Sequence, residues 1–122
     1  MQLTIENPEY RYRLRGADGA SARVNERELR ASFILAPEQL LEGWRPRAVR
    51  DIELADLEPL LALAPAVVLL GSGARLEFPP PPILAAFLSR GIGIEVMDNA
   101  AAARTFNLLA GEGRAVVAGF LL

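Results

Sequence analysis

Hydrophobic positions follow one pattern near the N-terminus and another in the rest of the chain. In the first part, short apolar or alternating runs are separated by Gly, Asp and Pro, which is typical of strands joined by turns. These runs predict strands over residues 10–14, near Ala22, and over residues 29–35, the last ending at Pro37. Trp44 and Pro46 then mark an irregular segment.

Farther along, apolar runs alternate with segments whose hydrophobic residues recur at helical spacing. Asp56 is expected to cap a short helix in which Leu57, Leu60 and Leu61 share one face. The run AVVLLG, which ends at Gly71, is apolar on both faces and predicts a buried strand. The remaining elements are a helix over 82–90 that Pro82 opens and Gly91 ends, a buried strand over 94–97, a helix over 99–110 capped by Asp98 or Asn99 and stopped by Gly111, and a buried strand over 115–121.

This order of elements predicts an α/β fold. Strands that alternate with helices pair in parallel across right-handed crossovers, with the helices packed on the sheet. The strands near the N-terminus add a further β layer, so the sheet is expected to be mixed but largely parallel. The length of 122 residues fits one domain over 1–122.

Composition narrows the chemistry that the chain can perform. It contains no Cys or His, and all 13 basic residues are Arg, so Lys is absent as well. Thiol nucleophiles, imidazole bases, Schiff-base lysines and zinc sites of the usual kind are therefore excluded. We expect no metal or cofactor, and a non-enzymatic role is favoured over catalysis.

Charge and hydropathy bear on partners and location. The net charge is −2, and Arg11, Arg13 and Arg15 alternate as they would on one face of a strand. A solvated strand face accounts for this stripe better than nucleic-acid binding does. Pro65 interrupts the longest apolar stretch, and the N-terminus has no secretory pattern, so a cytoplasmic protein without a membrane span is expected.

The Gly-Ser-Gly sequence at residues 71–73 raises the question of a phosphate-binding loop. A dinucleotide loop needs a third glycine that opens a helix directly, and a P-loop needs a lysine. Neither is present, so a sharp turn after a buried strand is favoured, with close approach to a partner as a further possibility. The four prolines at 79–82 are expected to stiffen a helix entry rather than to form a polyproline II ligand.

A polar crevice is nevertheless expected at the carboxyl ends of the parallel strands, where α/β folds bind ligands. Its candidate residues are Gly71, Ser72 and Gly73 after one strand, Asp98 and Asn99 after the next, and Arg104, Thr105 and Asn107 on the following helix. For Asp98 the competing interpretation is a helix N-cap, and for Arg104 and Asn107 it is solvated surface. Phe106 should face the sheet together with Ala102 and Leu109.

Several of these pieces occur together in one known family. The Gly-x-Gly turn, the proline-led helix, GIGIEVMD at 91–98, the A-x-R-T-F-N run at 102–107 and the terminal apolar strand resemble the Mth-like domain proteins. That family includes a mitochondrial respiratory complex I assembly factor, an adipogenesis-associated protein and many bacterial members. The resemblance implies a mixed-sheet α/β domain without established catalysis. A cysteine common in the family is Ala103 here, so no thiol role carries over.

Three functional hypotheses follow. The first is a non-enzymatic interaction or assembly module with protein partners, linked to respiratory-complex biogenesis by the resemblance. The alternative is a small-molecule-binding protein or weak enzyme that uses Ser72, Asp98 and Arg104 in the crevice. A nucleic-acid module, which depends only on the arginine stripe, ranks third.

Overall fold

Two β-sheets organise the chain. The computed structural model describes residues 9–122. The smaller sheet is antiparallel and consists of β1 (Leu14–Ala17), β2 (Ala22–Val24) and β3 (Arg27–Leu29). The larger sheet has five strands in the order β5 (Gln39–Glu42), β4 (Phe33–Ala36), β8 (Val116–Phe120), β6 (Val67–Gly71) and β7 (Gly93–Met97).

The larger sheet is mixed, as predicted. Its strands β6, β7 and β8 are parallel and are connected through the helices α2 (Pro81–Leu88) and α3 (Asn99–Gly111). Its strand β4 pairs antiparallel with both β8 and β5. Two 3-10 turns, Val49–Asp51 and Leu54–Leu57, and the short helix α1 (Glu58–Leu61) lead from β5 to β6. The α/β class and the additional β layer are therefore confirmed.

Each face of the larger sheet has its own hydrophobic core, because neighbouring side chains on a strand point to opposite faces. On one face, Phe33, Leu69 and Phe120 pack beneath α3 and the smaller sheet. The rings of Phe33 and Phe120 stack with their centroids 5.0 Å apart. On the other face, a second cluster, which includes Val68 and Val117, packs beneath α1, α2 and the segment around Trp44.

The helix α3 packs on the sheet as its sequence predicts. Phe106 and Ala102 are fully buried, whereas Arg104 is exposed. The carboxylate of Asp98 accepts a hydrogen bond from the backbone N–H of Ala101 at 2.8 Å and caps the helix. The packing stripe and the N-cap therefore agree with the sequence prediction.

The first predicted strand, over residues 10–14, is wrong, because β1 begins only at Leu14. The preceding backbone bonds Asn25 and the carbonyl of Pro37, neither of which belongs to a strand. Asn25 accepts from the N–H of Arg13 at 2.9 Å and donates to the carbonyl of Arg11 at 3.0 Å. The guanidinium of Arg13 lies 4.8 Å from the centre of the Tyr10 ring, so this part of the arginine stripe is not a strand face.

The predicted strand over residues 29–35 is two strands in different sheets. The chain leaves the smaller sheet after Leu29 and enters the larger one at Phe33. The hydroxyl of Ser32, at this crossing, accepts a hydrogen bond from the N–H of Leu122 at 2.9 Å. Pro37 ends the strand as predicted, because β4 stops at Ala36, and the chain turns there and returns as β5.

Three other boundaries or roles differ from the prediction. The strand β7 is one of the two edge strands of the larger sheet and is only partly buried, since β6 is its single neighbour there. The helix α2 spans Pro81–Leu88 rather than 82–90. Asp56 lies inside the second 3-10 turn, where its carboxylate accepts from the N–H of Glu53 at 2.8 Å, so it does not cap α1.

Removing the ring of Phe106 should expose the dependence of the fold on α3. We expect Phe106→Ala to lower the free energy of unfolding by about 3–5 kcal/mol, through lost burial and the cavity left behind. Arg104→Ala, an exposed change on the same helix, should stay within about 0.5 kcal/mol of the wild type. Urea denaturation of both variants measures the difference. Equal stabilities would show that α3 is not anchored by this ring.

Candidate functional site

The loops that follow β6 and β7 meet at the carboxyl edge of the larger sheet. The N–H of Ser72 donates to the carbonyl of Met97 at 2.8 Å, and the N–H of Asn99 donates to the carbonyl of Gly73 at 2.8 Å. The sequence prediction that residues 71–73 and 98–99 share one edge is therefore confirmed. Their use as a ligand site is a separate question, which the surroundings of each side chain address.

Asn99 is the centre of this edge. Its side chain is completely buried. The amide nitrogen donates to the carbonyls of Asp18 and Leu121, each at 2.8 Å, and the amide oxygen accepts from the N–H of Gly73 at 3.1 Å. A Cβ on Gly71 would lie 2.4 Å from that oxygen, so only glycine fits there. Asn99 thus joins the smaller sheet, the C-terminal strand and the Gly-Ser-Gly turn.

The hydroxyl of Ser72 is also committed within the fold. It lies 2.6 Å from the carbonyl of Arg75 and 3.2 Å from that of Met97, and it accepts from the N–H of Glu77 at 3.2 Å. The residue is only 7% exposed. These contacts close the turn on itself, and all three partners are backbone groups, which cannot act as the general base that a serine nucleophile needs.

Two further candidates on α3 make helix-internal contacts. Asp98 serves as the N-cap, and the hydroxyl of Thr105 donates to the carbonyl of Ala101, one turn earlier, at 2.9 Å. Both are ordinary ways in which short polar side chains satisfy helix backbone groups. These hydrogen bonds hold both side chains against the helix backbone and do not direct them towards a shared ligand.

Arg104 and Asn107 lie beside a separate, shallow groove between α3 and β1. The groove has a volume of about 300 Å³, and neither Ser72 nor Asp98 lines it. Arg104 is exposed, as predicted, but Asn107 is half-buried. Its amide oxygen accepts from the N–H of Leu14 at 3.0 Å, and its amide nitrogen donates to the carbonyl of Leu14 at 2.6 Å. The prediction that Asn107 belongs to solvated surface is wrong, because it holds β1 on the helix.

The sequence prediction missed a cluster around Trp44, on the opposite face of the larger sheet. The guanidinium of Arg45 forms two parallel hydrogen bonds with the carboxylate of Asp56, at 2.8 and 2.6 Å, and also bonds the carbonyl of Asp51. The indole N–H of Trp44 donates to the carbonyl of Asp56 at 2.9 Å. The chain between Arg45 and Asp56 consists of loop and short 3-10 turns, so no helix or strand periodicity could have revealed the pair.

The hydrogen bonds between Arg45 and Asp56 stabilise the charged forms of both side chains. The hydrogen bonds from Arg45 hold the pKa of the Asp56 carboxyl below its usual value, although burial acts in the opposite direction. The same carboxylate raises the pKa of Arg45. Since Asp56 is only 8% exposed, the pair secures the loop that covers this face of the sheet.

Chemistry that needs a cluster of metal ligands finds no support in the described chain. Among residues 9–122, no group of three or more His, Cys, Asp or Glu side chains could hold a metal ion. The hydrogen bonds described above for the predicted crevice residues are structural, and none of residues 71–73, 98 and 99 lines the groove beside Arg104. A ligand role for Gly71, Ser72, Gly73, Asp98, Asn99, Arg104, Thr105 and Asn107 remains a prediction.

Replacing Asn107 should loosen β1 from α3. We expect Asn107→Ala to lower the free energy of unfolding by about 1–3 kcal/mol, because a partly buried N–H and carbonyl lose their partners. Asn107→Asp keeps an acceptor for the N–H of Leu14 but places a carboxylate oxygen against the Leu14 carbonyl, so it should not restore the stability of the wild type. Hydrogen exchange at Leu14 should accelerate in both variants. An unchanged exchange rate would contradict the role of Asn107 as a strand anchor.

The Asp56 pair should make stability depend on pH in acid. The folded pKa of Asp56 lies below the unfolded value of about 4. Its contribution is therefore complete above that value and is lost as the pH falls through the folded pKa. Asp56→Asn should remove this part of the acid dependence.

The control for this titration is Asp18→Asn. Asp18 also has a lowered pKa, caused by hydrogen bonds from the backbone of Ala20 and Ser21, but it is exposed. Thermal unfolding of the wild type and both variants across the acid range separates the two carboxylates. An Asp56→Asn curve parallel to that of the wild type would argue against the pair.

The fold and sequence of the chain are shared with proteins of known structure. The NMR structure of a protein from Xanthomonas campestris is 51% identical with a TM-score of 0.84, covering 99% of this chain and 92% of that chain. The solution structure of a Bordetella pertussis protein, described as a Mth938-like domain, is 28% identical with a TM-score of 0.79 over the same shares. The predicted resemblance to Mth-like domains is therefore confirmed.

Curated relatives carry two kinds of name. NADH dehydrogenase (ubiquinone) 1 alpha subcomplex assembly factor 3 of Xenopus tropicalis is 34% identical over 87 residues, which cover 70% of this chain and 47% of the relative. The chain thus spans about half the length of that assembly factor. A protein of Francisella tularensis named 13 kDa major membrane protein is 30% identical over 94 residues, 76% of each chain.

The match to a protein family covers most of the chain. Residues 14–121 match the family described as protein of unknown function (DUF498/DUF598). This range runs from the first residue of β1 to just beyond the end of β8, so it takes in both sheets and every helix described above. The chain belongs to the DUF498/DUF598 family.

Proposed function

We propose that the protein is a non-enzymatic interaction module that supports the assembly of a larger protein complex. The observation that carries this proposal is the internal use of the polar side chains at the predicted crevice. Asn99 and Ser72 bond backbone groups of their own chain, and Asp98 caps a helix. Polar groups committed in this way hold the fold together and are poorly suited to acid–base or nucleophilic chemistry.

Exposed apolar side chains supply a surface suited to protein contacts. Leu76 and Phe78 are 55% and 64% exposed in the loop between β6 and α2. Pro79, directly after Phe78, is buried and anchors the end of that loop, so the two apolar side chains are held outward. Exposed apolar side chains that lie close together mark a candidate surface for protein contacts. We assign the principal protein contact to this apolar loop, residues 74–78.

The class of complex is suggested by the relatives. Assembly factors of NADH dehydrogenase (ubiquinone) are among them, although the chain spans only about half of their length. We extend the assembly role, and not a particular partner, to this protein. A respiratory complex is the class of assembly that this likeness favours.

We propose that the protein acts in the cytoplasm. In the part of the chain that the structure describes, the helices fall short of the length and apolar character that crossing a bilayer requires. A relative from Francisella tularensis is named a major membrane protein. A peripheral contact with a membrane-bound complex accommodates both observations, since it needs only a protein surface.

A second candidate function is the binding of a small anion in the groove between α3 and β1. Arg104 borders that groove, is exposed, and forms no ion pair with the residues described. A guanidinium with free donors is well suited to a carboxylate or phosphate group. This candidate keeps Arg104 from the predicted crevice and leaves out Ser72 and Asp98.

Affinity capture from the native cells tests the proposal. A variant with Leu76→Ser and Phe78→Ser should lose at least about tenfold of its captured partner, because truncated hot-spot residues commonly cost more than about 1.4 kcal/mol of binding. Leu108→Ser is the matched control, since Leu108 is 63% exposed on the outer side of α3. Circular dichroism should show all variants folded.

The outcomes separate the two candidate functions. Equal capture by the wild type and the double variant would contradict the assignment of the contact to the apolar loop. Native mass spectrometry that finds a small anion retained by the wild type and absent from Arg104→Ala would support the groove instead. A protein that captures no partner and carries no anion would contradict both.

A further inference from the structure

A second opening, richer in arginine, lies far from the apolar loop in sequence. It is a cleft of about 540 Å³ between the start of β4 and the loop after β5. Three arginines line it, Arg30, Arg45 and Arg47, together with Ser32, Trp44 and Leu122. Within residues 9–122, no aspartate or glutamate lines this cleft. We call it the arginine cleft.

The central guanidinium of the arginine cleft is held in place and is not fully used. Arg45 directs Nε and Nη2 towards Asp56 and the carbonyl of Asp51. Its Nη1 group, which carries two N–H donors, has no hydrogen-bond partner among the described residues. The side chain remains 54% exposed. A preorganised guanidinium with donors to spare loses little conformational entropy when it binds an anion.

The two flanking arginines are available to a ligand. Arg30 contacts the carboxylate of Glu28 at 3.3 Å, but the two side chains are 75% and 45% exposed, so this pair is weak and can rearrange. Arg47 forms no ion pair with any residue from 9 to 122, and the buried Pro46 fixes the backbone from which it extends. Arg47 is thus the least compensated charge of the cleft.

The arginine cleft is lined by positive side chains, whereas the whole chain has a negative net charge. The net charge of the protein is −2, yet the lining of this cleft carries only positive side chains. The two acidic residues that line the adjoining groove are already paired, Asp56 with Arg45 and Glu42 with Arg27. Glu28 is paired with Arg30. A local positive site on an acidic protein attracts and orients an acidic partner surface.

A mainly apolar groove adjoins the arginine cleft. It has a volume of about 350 Å³, and the two openings share Gly43, Trp44 and Arg45. Ile34, Leu41 and Pro59 line the groove, and Leu41 is partly exposed. A ligand that occupies both openings needs anionic groups next to an apolar side chain, a combination that a peptide offers and inorganic anions lack.

We propose that the arginine cleft and its apolar groove bind an acidic, amphipathic peptide segment of a partner protein. Carboxylates of the segment bond Arg30, Arg45 and Arg47, and a neighbouring apolar side chain packs against Leu41 and Pro59. The identification of the ligand as part of a partner protein rests on the proposed function. The binding chemistry itself does not, so the two can fail separately.

A titration with short synthetic peptides tests this inference. The probe alternates glutamate and leucine, and its controls are the same peptide with glutamine in place of glutamate, and inorganic phosphate. Trp44 is the single tryptophan of the chain, so its indole fluorescence and N–H resonance report on both openings. Saturable binding of the glutamate peptide should weaken as salt is added, because the contacts are ionic.

Charge reversal identifies the residues responsible. Arg47→Glu should weaken binding of the glutamate peptide by about tenfold or more, since it replaces an attraction with a repulsion. Arg114→Glu is the matched control, because Arg114 is an exposed arginine in the turn between α3 and β8. Arg47→Gln should fall between the wild type and Arg47→Glu. Arg47 is exposed, so we expect these variants to keep the melting temperature of the wild type.

Each other result overturns the proposal. No saturable binding of the glutamate peptide, equal binding of the glutamine peptide, or equal weakening by Arg114→Glu would each exclude the assigned site. Displacement of the peptide by inorganic phosphate at similar concentration would indicate a simple anion site. Partner capture that survives Arg47→Glu, together with failed peptide binding, would overturn the arginine cleft while leaving the assembly role in place.

Discussion

The side-chain amide of Asn99 is the interaction on which the arrangement of the layers depends. It lies completely buried and bonds the turn of the smaller sheet at Asp18, the end of the chain at Leu121 and the turn at Gly73. These three segments are distant in sequence and belong to different layers. A buried amide tolerates no unpaired partner, so all three must be in place together. In the described chain, no buried side-chain nitrogen or oxygen lacks a hydrogen bond.

The complete hydrogen bonding of these buried polar atoms has a functional consequence. In parallel α/β sheets the carboxyl edge of the strands is the usual place for a ligand, because loop side chains and helix N-termini converge there. Here the same convergence serves the protein itself: Asn99 fills the space above Gly71, and Ser72 closes its own turn. The binding surfaces that we propose therefore lie elsewhere, on the apolar loop, in the groove beside Arg104 and in the arginine cleft.

The second face of the sheet is closed by a different device. Trp44 packs over Gly119, where a Cβ would lie 2.7 Å from the indole ring, and its N–H bonds the carbonyl of Asp56. The carboxylate of Asp56 in turn holds Arg45. The loop that covers the core is thus tied down by groups that also shape the arginine cleft, which couples the stability of this face to its surface charge.

The sequence by itself determined the elements whose signals are local. The buried strands at β6 and β8, the packing stripe of α3 and its cap at Asp98 follow from apolar periodicity and capping chemistry between near neighbours. Tertiary structure decided what depends on distant partners. Asn25 draws residues 11–13 out of the strand pattern, Ser32 marks the crossing between sheets, and Asn107 turns from a surface residue into an anchor for β1. The residues next to a polar side chain in sequence do not indicate which distant backbone group it bonds, because that hydrogen bond forms only once the layers are packed.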